Sequence, residues 1–163
     1  MVFLKFYVIF RLMKINIDKE KLNRFCRENG IIFVVLFGSR AKEDKEEKLF
    51  IRQDSDFDIA VLTVSEKNIR KNMDNYNNIL LGLCDILDIP DYKMDLTNLN
   101  NANILLKYHI TSTGVLLYGN QINFEELKAD AFRDYMDAKP LFNLERFLID
   151  KKQKLLTEIL ARG

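Results

Sequence analysis

The chain has 163 residues, a length that suits one domain burying roughly 70% of the surface that its unfolded state exposes. Hydrophobic residues make up 48% and charged residues 30%, and six Gly and two Pro exclude fibrous and low-complexity classes. The 25 Lys and Arg nearly balance the 24 Asp and Glu, so a formal charge of +1 provides no general attraction for DNA or RNA. Any polyanion would have to be held by a local group of residues.

The two cysteines and the first residues bear on where the protein resides. Cys26 and Cys84 are too few and too far apart for a zinc site or a disulfide framework, and their apolar segments predict reduced core residues in the cytoplasm.

Residues 1–12 (MVFLKFYVIFRL) are too short to span a bilayer and lack a signal-peptide cleavage site. We interpret this segment as an extra strand or as the product of an upstream start codon, with translation then beginning at Met13.

The predicted elements alternate between helices and strands, beginning with a helix that Asp18 caps and Gly30 ends. A continuously apolar strand follows at 31–37 (IIFVVLF), as is typical of a strand buried on both faces. We then predict a strand at 57–64, a helix at 66–87, a strand at 92–96, a helix at 100–110 and a strand at 115–118. This order predicts an α+β (α/β-type) domain, a small mixed sheet with helices packed on it.

Two amphipathic helices, at 124–137 and 143–161, are predicted after the last strand, with Pro140 between them. Their apolar residues recur at helical spacing, so we expect both helices to cover the sheet. The second also carries three lysines, and the alternative is that it presents a face to a partner (Lys151, Lys152 and Lys154).

Residues 36–62 contain the pattern that points to chemistry. A strand ends, Gly38-Ser39 begins a turn, and Asp56-Phe57-Asp58 opens the next strand. Gly38 permits a positive φ or the close approach of a ligand, and Ser39 with the N–H groups that follow it can hold phosphate. Asp56 and Asp58 lie two apart on a strand, so both carboxylates leave one face about 6.5 Å apart along the chain.

The carboxylate spacing suits a pair of Mg²⁺ ions, which prefer carboxylate and phosphate oxygens. Two ions about 4 Å apart would stabilise the attacking and leaving oxygens of an in-line displacement. Asp95, on the polar face of the strand predicted at 92–96, would complete the triad, share a metal and accept the nucleophile's proton. Carboxylates this close repel each other without a cation, which favours a metal site over the alternative of three unrelated surface acids.

With these motifs the chain resembles the minimal nucleotidyltransferases, the MNT branch of the DNA polymerase β-like superfamily, whose signature is Gly-Ser, a spacer and Asp-x-Asp. Flanking segments are similar too: LFGSRA at 36–41, DSDFDIAV at 54–61, MDL at 94–96 and GVLLYG at 114–119. The resemblance implies a polymerase β-like nucleotidyltransferase domain at 13–120 and a C-terminal helical extension at 121–163, which packs on the domain or on a partner. Residues 1–12 lie outside this domain.

The spacer is where the chain departs from the family. Sixteen residues separate Ser39 from Asp56, several more than is usual, and the excess is a charged stretch around 43–50. We expect a solvated loop there, the alternative being an element that contacts a partner or gates the nucleotide.

The resemblance also implies roles for the site residues. Asp56 and Asp58 would be Mg²⁺ ligands and Asp95 the third ligand or general base. Gly38 and Ser39, helped by Arg40, would hold the terminal phosphates of ATP.

Small members of this family are typically the antitoxin of a HEPN–MNT toxin–antitoxin pair. The implied reaction transfers AMP from ATP to a hydroxyl, expected to be a tyrosine of a HEPN-domain ribonuclease toxin, with no direct binding to DNA or to a membrane. A tyrosine suits the chemistry because a phenol, with a pKa near 10, loses its proton more readily than an alcohol beside Mg²⁺. Two alternatives stay open: transfer to a small molecule such as an aminoglycoside, and neutralisation of the partner by occlusion alone.

Overall fold

The computed structural model describes residues 17–41, 55–64 and 73–161, so the predictions for 1–12, for 43–50 and for the start of the helix at 66–87 lie outside the described residues. Within these ranges three short 3₁₀ turns join the longer elements (Gly38–Arg40, Asp91–Lys93 and Leu99–Asn101). The helices and strands are α1 (Lys19–Glu28), β1 (Ile31–Phe37), β2 (Phe57–Thr63), α2 (Met73–Leu87), β3 (Met94–Asn98), α3 (Ile104–Thr113), β4 (Val115–Tyr118) and α4 (Gln121–Leu160). This set confirms the predicted α+β class.

The four strands form one mixed sheet in the order β3-β2-β1-β4. β1 is antiparallel to both β2 and β4, whereas β2 and β3 run parallel. The carboxyl end of β1 therefore lies at the same end of the sheet as the amino ends of β2 and β3. In this register Phe37 pairs with Asp58, and Asp58 pairs with Asp95.

Apolar side chains cover both faces of the sheet, which explains why β1 is apolar at successive positions. On one face α1 and α2 pack against β1 and β2 (Leu22, Cys26, Ile79 and Leu83 with Val34, Leu36, Ile59 and Val61). On the other face α3 and α4 pack against the same strands (Ile110 and Phe124 with Phe33, Val35 and Ala60). Both cysteines are free and buried, as predicted.

Local signals set the predicted boundaries where the sequence carries them. The Asp18 carboxylate accepts hydrogen bonds from the N–H groups of Glu20 and Lys21 at 3.1 Å, which caps α1, and Gly30 has a φ of 63° just beyond its end. The strands at 31–37 and 115–118 have the predicted bounds.

Two elements are displaced along the chain from their predicted positions. β3 begins at Met94 instead of residue 92, because Asp91–Lys93 form a 3₁₀ turn directly after Pro90. α3 begins at Ile104 instead of residue 100, because the Asn103 side chain accepts a hydrogen bond from the Leu106 N–H at 2.8 Å and so caps the helix. In both cases a local turn takes up residues that the apolar pattern had assigned to the longer element.

The predicted break at Pro140 is wrong, because α4 is a single helix of 40 residues that contains this proline. Proline removes one backbone hydrogen bond and disfavours a helix interior by about 3 kcal/mol, but good helix formers on both sides extend the helix through it. Only the first half of α4 packs on the domain, where Phe124 and Ala131 are buried, whereas residues 143–161 are exposed. The expected cover of the sheet is thus confirmed for that half alone.

Long as α4 is, none of the helices in the described ranges is apolar enough over a sufficient length to cross a membrane.

Candidate active site

Three aspartates lie at the end of the sheet where β1 ends and β2 and β3 begin. Asp56 immediately precedes β2, Asp58 is its second residue, and Asp95 is the second residue of β3. Asp58 and Asp95 pair directly in the parallel register, so their side chains leave the same face of strands about 4.8 Å apart. The prediction that Asp95 lies on a strand next to β2 is therefore confirmed.

The three carboxylates share the face of the sheet that α3 and α4 cover further along. Side chains two residues apart on a strand point the same way, so Asp58 lies on the same face as Ala60, which belongs to that core. Asp56 and Asp95 are exposed and Asp58 is half-buried. The acidic group thus lies at the rim of the core, where a ligand can reach it from solvent.

Electrostatic repulsion links the three side chains. Partial burial raises the pKa of Asp58 above its usual value, and the negative charges of Asp95 and then Asp56 raise it further. A proton or a cation relieves this repulsion, and at neutral pH a cation is the more effective of the two because the ionised carboxylates can bind it directly.

Gly38 brings the turn after β1 directly against Asp58. Its φ is 74°, and a Cβ added there would lie 2.0 Å from Asp58 Oδ2, so neither the conformation nor the space admits a side chain. Ser39, the next residue, is exposed. Its hydroxyl and the N–H groups at the start of the turn are the donors that the sequence predicted for phosphate, and the turn that carries them contacts Asp58 at Gly38.

Arg40 connects the turn after β1 to the segment that enters β2. Its Nε and Nη2 donate to the carbonyl oxygen of Ser55 at 2.8 Å and 2.5 Å, and its guanidinium lies 3.8 Å from the centre of the Phe57 ring. The side chain therefore joins the two ends of the long spacer across the site. The sequence analysis missed this contact and assigned Arg40 to phosphate alone. The contact could have been suspected because an arginine directly follows the Gly-Ser motif and an aromatic residue lies inside the Asp-x-Asp motif, and the two can stack.

Tyr76 of α2 is a further residue near the acidic group. Its hydroxyl donates to the Leu96 carbonyl oxygen at 3.5 Å, and burial and then the charge of Asp95 raise its pKa. Sequence reasoning had assigned it to packing, and its ring does pack against the core of α1 and α2.

The donor chemistry of the three aspartates fits Mg²⁺, which prefers carboxylate oxygens. In the described part of the chain no three acidic, histidine or cysteine side chains are already gathered as a complete metal site. The backbone of Gly38 occupies the space directly beside the Asp58 carboxylate, which brings the turn after β1 into contact with the acidic group.

Comparison with known proteins gives a consistent result. The family model for polymerase beta nucleotidyltransferases matches residues 20–123. No sequence among the curated proteins matches this chain.

Solved structures show a similar fold. A chain of an MntA toxin–antitoxin complex, in which two aspartates two positions apart are replaced by glutamate, has a TM-score of 0.59 at 21% identity over 84% of this chain and 99% of its own. A chain of a toxin–antitoxin complex with AMP-PNP has a TM-score of 0.55 at 22% identity, with 84% and 99% covered. A chain of the tri-AMPylated HEPN toxin in complex with MNT antitoxin from Shewanella oneidensis has a TM-score of 0.54 at 22% identity, with 82% and 94% covered. These similarities confirm the polymerase β-like fold.

Proposed function

This chain belongs to the polymerase beta nucleotidyltransferase family, and we propose that it transfers AMP from ATP to a tyrosine of a HEPN-domain ribonuclease toxin, acting in the cytoplasm as its antitoxin. The observation that carries this proposal is the pairing of Asp58 with Asp95 on neighbouring strands, directly beside the turn at Gly38. The printed descriptions of proteins with this fold, one an AMPylated HEPN toxin with its MNT antitoxin and one a complex with AMP-PNP, support the choice of partner and nucleotide.

The turn after β1 and the three aspartates, on opposite sides of the site, would bind different parts of the nucleotide. Gly38 and Ser39 would hold the terminal phosphates, because the turn offers N–H and hydroxyl donors and no Cβ obstructs it. Asp56, Asp58 and Asp95 would hold Mg²⁺, which when bound withdraws charge from the phosphate oxygens and stabilises the leaving pyrophosphate. Arg40 would keep the two sides at a fixed separation through its hydrogen bonds to Ser55.

In the transfer step the tyrosine oxygen forms a bond to the α-phosphorus of ATP, and the bond from that phosphorus to the bridging oxygen breaks, releasing pyrophosphate. The phenolic proton passes to a carboxylate oxygen of Asp95. This residue suits the role because it is exposed and lies on β3, one of the two edge strands of the described sheet, where a side chain of another protein has access.

The test is to incubate the purified chain with Mg²⁺, ATP labelled on the α-phosphate, and the protein encoded by the neighbouring gene, which the proposal expects to be a HEPN protein. We expect label on that protein, and loss of the label in the Asp56→Asn/Asp58→Asn variant. Asp137→Asn, which removes an exposed acid from α4, is the matched control and should transfer normally.

The same experiment distinguishes the alternatives. If the double variant transfers no label but still inhibits the ribonuclease, the chain acts by occlusion. If label appears only on an added aminoglycoside, the acceptor is a small molecule. The first result would contradict transfer as the means of neutralising the toxin, and the second would contradict a tyrosine as the acceptor.

A further inference from the structure

The second half of α4 presents a broad apolar surface to solvent. Nine large apolar side chains between residues 141 and 160 are each 49–81% exposed (Leu141, Leu144, Phe147, Leu148, Ile149, Leu155, Leu156, Ile159 and Leu160). Side chains of this size at these exposures present on the order of 1,000 Å² of apolar surface, more than the largest patch of a typical monomer. Such a surface indicates an interface.

Five of these residues form a narrow stripe along the helix, which we call the distal stripe: Leu141, Leu144, Leu148, Leu155 and Ile159. Their spacing of three, four, seven and four residues keeps all five on one face. Glu145 and Lys152 lie along this stripe, seven residues or about two turns apart.

We propose that the distal stripe binds a second copy of this chain, with the two α4 helices antiparallel about a two-fold axis near Leu148. In that arrangement Glu145 of each copy faces the partner's Lys152, so two opposite-charge pairs form from one surface. In a parallel arrangement the partner's Lys152 would lie about two helical turns, roughly 10 Å, from Glu145 along the axis, so neither opposite-charge pair would form. The stripe is therefore self-complementary in the sense that a two-fold interface requires.

The same axis also matches the apolar residues. It brings Leu148 near its own counterpart and Leu141 near the partner's Leu155, so apolar residues meet on both sides of the axis, whereas Ile159 lies beyond the matched stretch. Residues 141–160 extend for about 30 Å, and the five residues of the distal stripe, each more than half exposed, form the apolar centre of the proposed contact. This proposal is independent of the reaction proposed above.

The test measures the association of the full chain by sedimentation velocity between about 0.1 and 100 µM. We expect a dimer for the natural sequence and a monomer for Leu148→Asp. Glu145→Lys and Lys152→Glu should each weaken the dimer at least about tenfold, because each converts two attractive pairs into repulsive ones. The double variant Glu145→Lys/Lys152→Glu should restore association, since the pairs re-form with the charges exchanged.

Asp150→Lys is the matched control. It reverses a charge on the face of α4 opposite to the distal stripe, between Glu145 and Lys152 along the helix, and should leave the dimer unchanged. Circular dichroism of each variant checks that α4 remains helical. A monomer at 100 µM, a dimer that tolerates Leu148→Asp, or a double charge exchange that fails to restore association would each overturn the proposal. So would a natural chain that stays monomeric but binds the HEPN protein through Leu148, because the surface would then belong to a different partner.

Discussion

Replacing Asp58 by Asn should stabilise the fold while abolishing transfer. Asp58 is half-buried, and its negative charge is opposed by burial and by the charges of Asp95 and Asp56. Asn has nearly the same shape, so it removes the charge without leaving a cavity. Residues whose electrostatics serve a site often reduce the stability of the fold in this way.

The expected gain follows from the spacing of the carboxylates. At the dielectric constant of water, which suits a group in partial contact with solvent, two unit charges repel each other by about 0.6 kcal/mol at the roughly 6.5 Å along one strand and by about 0.9 kcal/mol at the roughly 4.8 Å between paired strands. Asp56 and Asp95 together give a gain of about 1.5 kcal/mol for Asp58→Asn at neutral pH. In a domain of this size that gain corresponds to a rise in melting temperature of about 3–6 °C.

The gain should depend on pH in a defined direction. In the folded state the pKa of Asp58 is raised above the unfolded value of about 3.9. Below both values the natural residue is protonated in both states and its repulsion disappears, so the two proteins should unfold at similar free energies. The advantage of Asn should therefore be complete above the raised pKa of Asp58 and diminish as the pH falls through it.

Urea unfolding of both proteins at several pH values, in the presence of EDTA, measures this difference. Mg²⁺ with a non-hydrolysable ATP analogue should stabilise the natural chain and leave the variant little changed, which would reverse their order. An Asn variant that is less stable than the natural chain at pH 7 in EDTA, or a difference that does not vary with pH, would refute the reasoning.

Two further substitutions test the candidate site, and one thiol reaction tests the core. Gly38→Ala should lower the free energy of unfolding by about 1–2 kcal/mol and abolish transfer, because φ is 74° and the added Cβ would lie 2.0 Å from Asp58 Oδ2. Arg40→Lys should lower both stability and transfer, because a lysine lacks the planar guanidinium whose Nε and Nη2 bind the Ser55 carbonyl oxygen while its face lies on the Phe57 ring. Cys26, whose pKa burial raises to about 12, should not react with a disulfide reagent at pH 8 until the protein unfolds.

Each of these has a control. Ser39→Ala keeps the backbone of the turn and should affect transfer more than stability, so equal losses of stability at Ser39 and Gly38 would contradict the role given to glycine. Full activity in Arg40→Lys would show that the two hydrogen bonds from Arg40 to the Ser55 carbonyl oxygen are not needed to position the site residues. Fast labelling of Cys26 in the native protein would contradict its burial.

The acidic group was predictable because its residues are close in sequence or carry a strand pattern of their own. Asp56 and Asp58 open an alternating strand, and Asp95 follows Met94 in a second one. What the sequence could not show was the register that pairs Asp58 with Asp95, because strand pairing depends on packing across the whole sheet.

The remaining differences have local causes. Arg40 has a planar set of donors that can bind phosphate or a carbonyl oxygen equally well, and only the tertiary structure brings Ser55 within its reach. Pro140 is a strong sign of a helix end, yet the loss of one hydrogen bond is smaller than the combined propensity of the residues on both sides. A residue pattern does not decide between such alternatives when each is locally satisfactory.

The most direct test of the account is to locate a divalent cation in crystals of this chain grown with Mn²⁺ and a non-hydrolysable ATP analogue. Mn²⁺ prefers the same oxygen ligands as Mg²⁺ and is identified by its anomalous scattering. We predict a peak about 2.0–2.2 Å from carboxylate oxygens of Asp56 and Asp58, with the terminal phosphates on the turn at Gly38 and Ser39. A nucleotide bound elsewhere, or a cation that contacts neither aspartate, would contradict the central claim.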